Sequence, residues 1–138
     1  MSLFVYSPKN DGKWYRLLQC KAYYRCMAFD DEHYQIKRRW YVYQLVSYET
    51  KIMQCTYDRK YKKWWVDCSP YVMHSNTTIQ HVYKFIRKVV DMPMHESLKH
   101  MRDNRKPITP CLSMFFDSVN DIDWNFWSVE SFEHVWRV

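Results

Sequence analysis

Two stretches of this sequence interleave cations with aromatic rings: Lys37-Arg38-Arg39-Trp40-Tyr41 and Arg59-Lys60-Tyr61-Lys62-Lys63-Trp64-Trp65. Cations neutralise phosphates and rings stack on bases, so both stretches read as contact surfaces for a nucleic acid or for a protein that handles one. The candidate contact residues are Lys37, Arg38, Arg39, Arg59, Lys60, Tyr61, Lys62, Lys63 and Trp65. A structural account competes with this one. In it the rings face a core, and the cations dress a hairpin tip that discourages edge-to-edge pairing. The structural account is slightly ahead at this level, because no RNA- or DNA-binding signature accompanies the charge.

Residue sets for catalysis are weaker. Met94-His95-Glu96-Ser97-Leu98-Lys99-His100 approaches a zinc-protease helix, but that chemistry needs histidines four apart on one face. Here the second His stands five residues on, rotated away, and a solvated polar helix is the better reading. Asp117, Asp121, Asp123, Glu130 and Glu133 form a carboxylate-rich run near the C-terminus. A two-metal nuclease needs carboxylates converging from separate elements, which a run does not provide. Five cysteines (Cys20, Cys26, Cys55, Cys68 and Cys111) include no CxxC pair and no zinc-ligand spacing, so they read as reduced, half-buried small hydrophobes. A single glycine excludes Gly-rich phosphate cradles, and no nucleophile elbow is present. No catalytic residue, metal or cofactor is expected.

The charge is unevenly laid out. Residues 1–106 carry a net +10 and residues 107–138 a net −4, within a whole-chain +6. Either the acidic segment packs on the basic body and neutralises it, or the basic face meets a polyanion or its handler. The 138 residues suit one domain, 1–138, with an aromatic share of 19% that exceeds what a core of this size can hide. No run approaches a membrane span, and the first ten residues lack a signal-peptide layout, so the cytosol is the expected location.

The elements that must position these residues are clearest in a module over 40–90. Tyr- and Val-rich 40–46 predicts a strand, 47–50 a turn, and 51–57 a second strand with Met53, Cys55 and Tyr57 on one face and Gln54 and Thr56 on the other. Residues 58–61 read as a hairpin connection. Residues 63–68 return, with Trp64 and Val66 inward and Trp65 outward, or the reverse if the register slips by one, until Pro70 ends the sheet. Ile79, Val82, Ile86 and Val89 recur at helical spacing over 77–90, after an N-cap at Ser75 or Asn76 and before Pro93. Residues 14–29, after a turn that spends Gly12, alternate as a strand does, although Trp14, Leu17, Leu18 and Ala22 also fit a helical stripe; the strand is slightly favoured, and Asp30-Asp31-Glu32-His33 reads as a polar break. A polar helix over 95–103, an unassigned element at 111–116 and a terminal helix over 128–136 complete the reading. The 107–138 stretch is an acidic, aromatic C-terminal segment. The expected fold is α+β, a small antiparallel sheet of hairpins with an amphipathic helix packed on one face.

Within the module, Ser47-Tyr48-Glu49-Thr50 is followed by Ser75-Asn76-Thr77-Thr78-Ile79-Gln80-His81 and then Phe85. This "SY-x-T … S-x-T-T-x-x-H-x-x-x-F" pattern resembles a module found in many small phage-encoded proteins of unknown function, over about a third of the chain. The tyrosine usual before the serine is here His74, and the usual hairpin glycines are absent. The resemblance implies a phage or prophage origin and no activity. In physical terms His81 and Phe85 lie one and two turns into the helix, placed to pack its start onto the hairpin; a lone imidazole is weak grounds for catalysis. Three classes of function follow as expectations. The first is a non-enzymatic, phage-derived inhibitor in the host cytoplasm that binds a bacterial defence protein such as an RNA-guided nuclease. The second is a nucleic-acid-binding accessory protein using the basic hairpin, and the third is a small metal-dependent nuclease. Interface-prone Tyr, Trp, Met and Arg favour the first.

Overall fold

The computed structural model describes residues 12–17, 21–33, 36–72, 74–90 and 122–136. The elements expected at 95–103 and 111–116, and Cys20, Cys111, Asp117 and Asp121, lie outside them.

A six-stranded sheet runs β1 (Tyr15–Arg16), β2 (Ala22–His33), β3 (Ile36–Ser47), β4 (Thr50–Asp58), β5 (Lys63–Cys68) and β6 (Ile122–Phe126), neighbours in chain order being neighbours in space. The fold is α+β, as expected, but the sheet is mixed rather than antiparallel. The first five strands pair antiparallel, whereas β6 lies parallel to β5. A parallel neighbour requires a crossover, and α1 (Asn76–Phe85), which continues as a π-helical segment over Ile86–Val90, lies within it. The terminal helix α2 spans Val129–Val135.

The polar break expected at 30–33 is instead the end of β2. Register explains the persistence of the strand. Asp30 stands opposite Arg39, Asp31 opposite Arg38, and Glu32 opposite Lys37, so each acidic residue is paired across the ladder with a basic one. A turn signal read from local composition was overridden by a partner strand of opposite charge.

Alternation sorts the sheet into two faces. Cys26, Tyr43, Leu45, Met53, Cys55, Tyr57, Trp64, Val66 and Cys68 point to one side, and with Val82, Phe85, Ile86 and Val90 they form a single buried hydrophobic cluster. Trp64 sits between Tyr57 and Tyr43, with ring centroids at 4.8 Å and 5.9 Å. Among the described residues its indole Nε1 meets no hydrogen-bond partner, the cost of using a large ring to fill the centre. A bulge between Leu45 and Val46 lets Ile52 enter the core.

Helix starts follow simple capping chemistry. The Ser75 hydroxyl accepts from Thr78 N–H, and the Ser128 hydroxyl accepts from Ser131 N–H. The β3–β4 turn holds Tyr48 and Glu49 at φ of 48° and 66°, the backbone of a two-residue hairpin that ordinarily takes Asn-Gly.

Candidate macromolecular contact surface

The two cation–aromatic stretches meet at one end of the sheet. The β4–β5 connection (residues 59–62) sits beside β3, and Arg59 N–H donates to the Arg39 carbonyl at 3.1 Å. Asp58 organises the tip. Its Oδ1 accepts from Lys60 N–H at 2.9 Å and from Tyr61 N–H at 3.4 Å, and Lys62 then turns back at φ 53°. Arg59, Lys60, Tyr61 and Lys62 are all exposed, and Tyr61 is 61% exposed with Lys60 Nζ 5.4 Å from its ring centre.

The other expected contact residues are differently placed. Arg39 is held by Asp30 through two bonds of 2.7 Å and 3.1 Å. That bond draws the Asp30 carboxyl below the usual carboxylate range. Lys37 and Arg38 stand opposite Glu32 and Asp31 in register, although their side chains lie outside those described. Lys63 pairs with Asp123 at 3.0 Å and lies over Trp65 at 5.5 Å. Trp65 is half-buried, on the face opposite Trp64. Arg39 is therefore matched by a carboxylate, while the 59–62 tip projects.

The acidic segment packs on the body through β6 and α2, with Asp123 bound to Lys63 and Glu133 to Lys51 at 2.7 Å. Glu130 is exposed near the start of α2. Among the described residues no three His, Cys, Asp or Glu converge as a metal site, and no helix is long and apolar enough to cross a membrane.

Sequence reasoning missed a polar rung across the second face. In register, Arg25, Gln44, Gln54, Asp67 and Asn125 line up across β2 to β6. Arg25 Nε donates to Gln44 Oε1 at 2.6 Å, Gln44 Nε2 to Gln54 Oε1 at 2.7 Å, and Gln54 Nε2 to the Val135 carbonyl of α2 at 3.3 Å. Trp127 Nε1 donates to Asp67 Oδ1 at 2.8 Å. Beside this rung lies a groove of about 470 Å³ lined by Trp40, Thr56, Trp65, Asp67 and His134 among others. Its only trace in the sequence was the alternation of Gln54 and Thr56 against Met53, Cys55 and Tyr57.

The two halves of the phage-like pattern also come together. Ser47 Oγ lies 2.7 Å from His81 Nδ1, both buried, and the Tyr48 ring stacks on the imidazole at 5.8 Å. Burial, reinforced by the Lys84 charge, pushes the His81 pKa down, favouring the neutral ring. Phe85 is fully buried two turns into the helix. The imidazole ties helix to hairpin, and among the described residues no carboxylate orients it.

Comparison with protein-family models, with curated proteins and with solved structures finds no match to this chain.

Proposed function

We propose that this chain is a non-enzymatic binding protein that grips another macromolecule through the 59–62 tip. The amphipathic helix, laid across one face of the sheet, clasps the hairpins that present it. The observation that carries this reading is the projecting set Arg59, Lys60, Tyr61 and Lys62, held in shape by Asp58 and displayed together. An exposed ring among long cations is a costly surface to keep for solubility alone and a good one for an interface. The phage-like pattern at Ser47–Thr50 and Ser75–Phe85 supplies the context. In this proposal the chain is a phage-encoded inhibitor acting in the cytoplasm of a bacterial host. Its partner is a defence protein that handles nucleic acid, such as an RNA-guided nuclease. Tagged protein should then retain a nuclease subunit from bacterial lysate in fixed ratio, and R59E/K60E/K62E should release it. Failure against a panel of defence complexes overturns the reading.

A second reading, direct nucleic-acid binding, is favoured by Tyr61 standing between Lys60 and Lys62, where it can stack on a base. It requires oligonucleotide affinity that falls steeply with salt. No binding at low salt ends it. The metal-dependent nuclease is not carried forward, because Asp123 and Glu133 are each held by a lysine.

A further inference from the structure

A cleft of about 540 Å³ opens at the end of β4 away from the tip, where the β3–β4 turn meets the start of α1. Six of its lining side chains carry hydroxyls: Ser47, Tyr48, Thr50, Tyr71, Ser75 and Thr78. All but Tyr71 belong to the phage-like pattern, whose His81 and Phe85 are instead buried in support. The hydroxyls divide by their partners. Ser47 is bound to His81, and Ser75 Oγ lies 3.1 Å from Thr78 Oγ1 while accepting from Thr78 N–H, so these three fix the shape of the wall. Among the described residues no hydrogen bond takes up the Thr50 hydroxyl or the phenols of Tyr48 and Tyr71. The two rings are 54% and 39% exposed, and Tyr48 is presented from left-handed backbone at φ 48°. Exposed rings and strained backbone at the mouth of one cleft are features of a binding site.

These features suit one ligand chemistry. The volume is that of a small-molecule site. A hydroxyl donates once, accepts twice and rotates to suit, so a wall of hydroxyls matches a ligand whose own groups both donate and accept. Tyr48 gives one ring face to His81, which leaves the other for a ligand, and Tyr71 stands perpendicular to His74 at 5.9 Å. The negative face of such a ring attracts polarised C–H groups. A pyranose has both features, an apolar C–H face and a girdle of hydroxyls. A nucleobase edge is read better by planar amides, and no side-chain amide lines this cleft.

We propose that this cleft binds a pyranose sugar, with Tyr48 and Tyr71 as ring platforms and the Thr50 hydroxyl as a contact to the sugar's own hydroxyls. The site lies at the other end of β4 from the 59–62 tip and does not depend on what the tip grips.

The test is a titration of the ¹⁵N-labelled full chain, following the backbone amides of Tyr48, Thr50, Tyr71 and Ser75. The probes are methyl α-D-glucopyranoside, methyl α-D-mannopyranoside, methyl β-D-galactopyranoside and methyl N-acetyl-β-D-glucosaminide. Cyclohexanol is the control for a ring without the girdle of hydroxyls, and adenosine is the nucleoside arm. At least one glycoside should shift these amides saturably, and cyclohexanol should not. T50V keeps the shape of the side chain without its hydroxyl and should weaken that glycoside by about fivefold. Y71L removes a platform and should weaken it by about fivefold. R59E/K60E/K62E should leave the titration unchanged, so failure to capture a host protein and failure of the cleft are separate results. Silence from every glycoside overturns the proposal, as does cyclohexanol or adenosine binding more tightly than all of them. Glycoside binding that T50V and Y71L both leave intact overturns it too.

Discussion

Tyr48 and Glu49 occupy left-handed backbone that costs a non-glycine residue about 1 kcal/mol or more each. Only Tyr48 has a visible return. Its ring covers His81, and its N–H donates to the Lys21 carbonyl at 3.0 Å. Glu49 is exposed. E49G should therefore raise stability by about 0.5–1 kcal/mol, whereas Y48G, relieving the same backbone, should show no gain because the stack is lost. Urea unfolding of the two variants side by side checks this. His81 gives a pH signature. Its folded pKa lies below the unfolded value of about 6.5, so the unfolded chain takes up the proton first as pH falls. Its contribution is complete above about pH 6.5 and is lost on acidification towards the folded value. H81Q, which cannot titrate, should flatten stability between pH 7 and pH 5 relative to wild type, read from denaturation midpoints.

At the scale of elements, the sequence was most readable where a pattern is complete within one segment. The strands around Tyr43, Met53 and Val66, the cap at Ser75, and the helix carrying Ile79, Val82 and Ile86 each declare themselves by period or by one polar side chain. What failed was decided by distant partners. Asp30 to His33 is strand because 36–39 lies opposite, and Ile122–Phe126 is strand because β5 offers an edge. Neither fact is written locally. The groove was illegible for the same reason, since Arg25, Gln44, Gln54, Asp67 and Asn125 become neighbours only through register. The caps allow a graded test. S75A and S128A should each cost about 1 kcal/mol if both helices belong to one cooperative unit. If S128A instead loosens only the end of the chain, hydrogen exchange will show it as local opening at α2.

At the scale of the whole molecule, no lysine or arginine is buried among the described residues, while thiols are. Cys26, Cys55 and Cys68 are buried thiols, and burial pushes the pKa values of Cys55 and Cys68 well up. Thiolate is the reactive form, so alkylation of Cys55 and Cys68, mapped by peptide mass, should be negligible in the native state and should track global unfolding in denaturant. Labelling of either well before the unfolding midpoint would show that the sheet opens locally around β4 and β5.

The parallel pairing of β6 with β5 also sets an order of assembly. The meander from β1 to β5 is built from short-range pairings, each strand meeting the next as it follows in sequence, whereas the closing strand must return across a crossover of more than fifty residues (68 to 122). Until it arrives, Lys63–Cys68 presents an open row of amides and carbonyls beside Trp64 and Val66, a template on which a second nascent copy can dock as readily as the chain's own end. Renaturation yield is therefore governed by a race between intramolecular closure, independent of protein concentration, and bimolecular capture, which rises with it.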